Sequence, residues 1–69
     1  MKRGDVIKKV QREAKRQGRS FEVVELTNHT GLVVDGFRST LGRHGEIPEG
    51  TARAFFKQFE VVLGKGWWR

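Results

Sequence analysis

His29 and His44 are the two histidines of this sequence, and histidine is the side chain that titrates closest to neutral pH. Several chemistries that use histidine are closed to them. The chain has no cysteine, which removes a disulfide framework and any thiolate metal site. No His-x-x-x-His or His-x-x-Glu-His spacing occurs, so no metal is expected and no cofactor is implied. Ser20 and Ser39 lie in strand-like segments without a nucleophile-elbow motif. No glycine-rich loop runs into Lys-Ser or Lys-Thr, so a nucleoside triphosphate site has no support. What remains is metal-free acid–base chemistry. RNA cleavage needs a base for the 2′-hydroxyl proton, an acid for the leaving oxygen and positive charge near the phosphate. His29, in "TNHT", can serve on either side of that proton transfer; it can equally be a turn residue, as can Asn28 and Thr30. His44 follows Arg43 in a loop, where the pair is either a phosphate contact or ordinary surface.

Positive charge is supplied unevenly. Of a net charge of +6 in 69 residues, the first 19 residues carry all of it, with eight basic residues against two acidic ones. The candidate phosphate contacts there are Lys8, Lys9, Arg12, Lys15 and Arg16. Helical spacing puts Lys8, Arg12 and Lys15, with Arg19, on one face and Lys9 and Arg16 in another row. A one-sided basic footprint on a small domain points to a polyanion, most often nucleic acid. A solvated face that keeps the chain soluble, an anionic lipid surface and an acidic protein remain open.

The elements that position these residues can be read from the pattern. Residues 1–69 fit one small domain, whose core is necessarily thin. "VIKKVQREAKRQG" predicts a helix started by Asp5 or Gly4 and ended by Gly18, with Val6, Ile7, Val10 and Ala14 as a narrow apolar stripe. Ser20–Thr27, Gly31–Asp35 and Phe37–Gly42 predict three strands, the last two joined at Asp35-Gly36, a type I′ turn signal. Pro48 suits the first turn of a second helix through "TARAFFKQFEVVLG". Phe55, Phe56 and Phe59 have helical spacing and belong to the core rather than to an RNA-stacking platform. Trp67 and Trp68 are too apolar to stand in water, so at least one is expected to fold back on the core, with burial in a partner as the alternative. The order α-β-β-β-α predicts an α+β fold of the double-stranded-RNA-binding type, a three-stranded antiparallel sheet with two helices on one face. No apolar run approaches ~18 residues and no hydrophobic leader follows Met1-Lys2-Arg3, so neither membrane insertion nor secretion is expected.

"TNHTGLVVDG", followed by "RHGEIPEGTARAFFKQ", resembles the HicA family of toxins from bacterial toxin–antitoxin pairs. The opening "MKRGDVIKKV", the turn "IPEGT" at Ile47–Thr51 and Lys57-Gln58 match further family features, so the resemblance runs over roughly residues 1–63. It implies a small cytoplasmic endoribonuclease, an mRNA interferase of a type II pair, with the double-stranded-RNA-binding-like fold. It assigns the catalytic histidine to His29 through the Asn28-His29 step. It also implies a HicB-type antitoxin that buries the active face. The alternative is a module of the same fold that binds RNA without cutting it; a third reading is a subunit that docks only an acidic protein.

Overall fold

The computed structural model describes all residues, Met1–Arg69. Val6, Val10 and Ala14 are fully buried, which makes the first helix, α1 (Arg3–Arg16), one-sided as its sequence predicts. The helix begins earlier than Asp5, and no side chain caps it. The loop ahead of the second helix sets its start: Arg3 N–H donates to the Gly45 carbonyl at 3.0 Å, and Lys2 pairs with Glu46 as an isolated bridge. Asp5 then sits inside the first turn, where a carboxylate favours the helix dipole. The far end closes as the sequence predicts. Gly18, at φ 72°, donates to the Lys15 carbonyl at 3.1 Å, and Arg19 donates to that of Ala14 at 2.8 Å, the paired bonds of a Schellman motif.

Three antiparallel strands follow in the order β1 (Phe21–Glu25), β2 (His29–Val34) and β3 (Phe37–Gly42). The β2–β3 turn has Asp35 at φ 48° and Gly36 at φ 85°, the two positive values that a type I′ turn requires. The Asp35 carboxylate accepts from Arg19 at 2.8 Å and from the Ser20 backbone N–H at 2.9 Å, tying the turn to the chain that leaves α1. Strand β2 starts at His29, two residues before the expected Gly31, so His29 belongs to the sheet rather than to the turn.

One sheet face carries the core. Thr30, Leu32, Val34, Ser39 and Leu41 are buried beneath α1 and beneath α2 (Glu49–Gln58) and α3 (Glu60–Leu63), which contribute Ala52, Phe55, Phe56, Phe59 and Leu63. Both helical arms therefore lie on the same side of the sheet, giving the α-β-β-β-α fold. Pro48 is the residue before α2 rather than its first helical one. The expected single helix is broken at Phe59, whose φ −82° and ψ 3° close α2 with a tighter turn, Phe59 N–H to the Phe56 carbonyl at 3.0 Å. The break seats the fully buried Phe59 ring edge-on to Phe37 and Phe55, each at 5.3 Å. Trp67 folds back as expected: its ring packs edge-on to Phe56 and its indole N–H donates to the Phe56 carbonyl at 2.8 Å. No helix is long and apolar enough to cross a membrane.

Candidate active site

Strand β2 enters the sheet through a two-residue turn, Thr27-Asn28, in which neither residue has positive φ. Only one bond of the closing pair forms, from Leu26 N–H to the His29 carbonyl at 2.8 Å. The Leu26 carbonyl is taken instead by the Arg43 guanidinium, which also lies 3.4 Å from the Glu25 carboxylate. Arg43 thus clamps the turn that delivers His29. A second set of bonds holds the next residue. The buried Thr30 hydroxyl donates to Glu25 at 2.7 Å and accepts from Arg3, whose guanidinium stands 3.8 Å from Glu25. Arg3 Nε is buried without a partner, so its other nitrogens carry the contact. The Thr30 hydroxyl, and then the charges of Arg43 and Arg3, hold the Glu25 carboxyl below the usual carboxylate range.

With Thr30 pinned toward the helices, strand alternation sends His29, Gly31 and Val33 to the opposite, open face. His29 is exposed, and its imidazole makes no hydrogen bond within the chain. Its register partner across β3 is Gly42, which has no side chain. His44 fills the space: a Cβ on Gly42 would lie 3.5 Å from His44 Cδ2. Directly paired residues point the same way with Cβ atoms about 5 Å apart, so the His44 ring lies within about 9 Å of His29 Cβ on the same face. Arg38 and Thr40 share that face, opposite Val33 and Gly31. The Arg38 chain crosses Gly31, its Cδ 3.5 Å from where a Cβ would stand, and Arg38 is in no ion pair. The two imidazoles therefore lie at one end of the open face, and the unpaired Arg38 side chain extends from the other end as far as Gly31.

The cations of α1 are elsewhere. Lys8, Arg12, Lys15 and Arg16 are exposed on the helical layer, on the far side of the sheet from His29. Arg16 is bonded to Glu13, and Lys9 Nζ lies 5.5 Å from the Phe56 ring centroid. Of the sequence-derived candidates, the structure brings together His29, His44 and Arg43 and does not bring the α1 cations to them. Sequence reasoning missed Arg38, although the alternation that puts Phe37, Ser39 and Leu41 inward puts Arg38 outward. Arg3, Glu25 and Thr30 left no such signal, since three elements must meet before they touch. No three His, Asp or Glu side chains converge anywhere in the chain. No protein-family model, curated protein or solved structure matches the chain.

Proposed function

We propose that the chain is a metal-independent endoribonuclease, a HicA-like mRNA interferase of a type II toxin–antitoxin pair acting in the cytoplasm. One observation carries the reading: His29 and His44 lie at the same end of an open sheet face, and the unpaired Arg38 side chain extends over Gly31 toward them. One imidazole takes the 2′-hydroxyl proton of the substrate. The 2′-oxygen attacks the adjacent phosphorus, the bond from phosphorus to the 5′-oxygen breaks, and the second imidazole, as imidazolium, protonates that leaving oxygen. The products are a 2′,3′-cyclic phosphate and a 5′-hydroxyl, and no atom is left over. Arg38 offsets charge at the phosphate. Arg43 acts through the turn as a positioning residue. A HicB-like antitoxin covers this face and denies it to RNA.

Controlled expression of the wild type, His29→Ala and His44→Ala tests the reading, with growth and RNA integrity followed in the same cultures. Arrest and RNA fragmentation by the wild type alone are expected. A folded wild type that leaves RNA intact overturns catalysis and favours the binding module. One observation speaks for that second reading: neither imidazole is oriented by a hydrogen bond from the chain.

A further inference from the structure

The helical layer holds a groove of about 380 Å³ between α1 and the segment after α3. Lys8, Lys9, Arg12 and Arg69 border it, and Trp67 and Trp68 form its apolar wall. None of the four cations takes part in any of the molecule's five ion pairs. Two carboxylates also reach the groove. That of Glu13 is already spent on Arg16 and Gln17, whereas Asp5 is unpaired. The wall is fixed in place. The Trp67 indole N–H is anchored on the Phe56 carbonyl, and Trp68 packs edge-on to Trp67 with ring centroids 6.1 Å apart. The Arg69 guanidinium lies 5.8 Å from the Trp68 centroid.

Unpaired cations facing a pre-positioned indole match a ligand with an anion and a flat ring on one short backbone. A helix of a protein partner needs a row of apolar anchors to fill, whereas the apolar lining here is Met1, Trp67 and Trp68 among six charged residues. We infer that the groove is a binding site for single-stranded RNA, with a base stacked on Trp68 in place of the Arg69 guanidinium and the flanking phosphates on Lys8 and Arg12. Asp5 then faces the base edge, where its carboxylate accepts from an exocyclic amino group. The site is separate from His29, on the other side of the sheet, and would hold the substrate strand outside the reacting phosphate. That the strand is RNA rests on the function proposed above.

The chain reports on its own groove, because both of its tryptophans line it. A 2′-O-methyl oligoadenylate hexamer, which lacks the attacking hydroxyl, is titrated into the wild type while indole emission is read. Affinities of the variants come from the anisotropy of the same hexamer carrying a fluorophore. Saturable quenching is expected. Trp68→Leu is expected to weaken binding roughly ten-fold or more, with Trp68→Phe restoring most of it. Lys8→Ala with Arg12→Ala is expected to reduce the slope of log affinity on log salt by about 0.7 per lost phosphate contact. Binding without quenching, unchanged affinity in Trp68→Leu, or equal quenching by an oligoglutamate peptide overturns the groove. Cleavage of an unmodified oligonucleotide is measured alongside. Cleavage without quenching overturns the groove and leaves the proposed function intact. Quenching without cleavage supports the groove and overturns the catalytic reading.

Discussion

His29 and His44 differ in how the chain holds them. His29 is a strand residue whose backbone is fixed by the ladder, and His44 is a loop residue that rests on the bare backbone of Gly42. A positioned acid or base contributes about 10²–10⁴ in rate, so His29→Ala and His44→Ala are each expected to slow cleavage of a defined oligonucleotide by that order. The double variant is expected to lose far less than the product of the two, because both proton transfers belong to one displacement at phosphorus. If one is base and the other acid, each single variant removes one limb of a bell-shaped pH–rate profile. A rate or a pH profile unchanged in His44→Ala removes His44 from the reaction. Filling the space that His44 uses is a separate test. Gly42→Val puts a branched side chain against His44 Cδ2 and is expected to slow cleavage while the melting temperature shows the fold intact.

At the scale of elements, the β1–β2 turn depends on Arg43. One guanidinium nitrogen, Nη2, serves the Leu26 carbonyl and the Glu25 carboxylate together. Arg43→Met, which removes both bonds, is therefore expected to speed amide exchange at Leu26 and lower kcat with little change in affinity for a non-cleavable oligonucleotide. A purely phosphate-binding Arg43 would show the reverse. The Schellman end of α1 gives a stability test. Gly18→Ala forces a side chain into left-handed backbone and is expected to cost about 1 kcal/mol, or roughly 4–8 °C in melting temperature. Gly18 and Asp35-Gly36 signal their conformations locally, and the Val6, Val10, Ala14 stripe needs only helical spacing, so these could be read directly. The start of β2 at His29 could not, because Arg43 from a distant loop closes that turn. The break at Phe59 was hidden for a similar reason: the helical spacing continues through it, and only packing against Phe37 and Phe55 bends the backbone. The same distinction holds for the site. His29 was legible as a residue type, whereas His44 and Arg38 on the same face follow from cross-strand register.

Over the whole molecule, three hydrogen-bonded carboxylates sit along α1 and at its two ends. Glu25 meets Arg3 at the start of the helix. Glu13 accepts from Gln17, which also donates to the Leu63 carbonyl of α3 at 2.8 Å. Asp35 meets Arg19 just beyond the helix end. All three titrate low. The hydrogen bond from Arg16, and then that from Gln17, brings Glu13 from 4.5 to about 2. The Thr30 hydroxyl lowers Glu25, and the Arg19 bond followed by the Ser20 N–H lowers Asp35. A carboxyl held lower in the folded than in the unfolded chain stabilises the fold above the unfolded value and loses that contribution as pH falls through the folded one. Melting temperature is therefore expected to be flat above about pH 5 and to fall steadily as pH drops through 4.5 toward 2. Protonation also raises a net charge that is already +6, and self-repulsion acts in the same direction. The two causes separate in the variant Glu13→Gln, Glu25→Gln, Asp35→Asn. It carries the extra charge at every pH but has no linked carboxyls to lose. Its melting temperature is expected to be lower than wild type at pH 7 and to fall less steeply than wild type below pH 5. A variant that retains the wild-type slope would assign acid sensitivity to net charge alone. Amide exchange adds the spatial test: as pH falls, with rates corrected for intrinsic pH dependence, protection is expected to be lost in α1 before the centre of β2, because the carboxylate partners Arg3, Arg16, Gln17 and Arg19 lie on the helix or at its ends, whereas the centre of β2 is held by two ladders and by the buried Leu32.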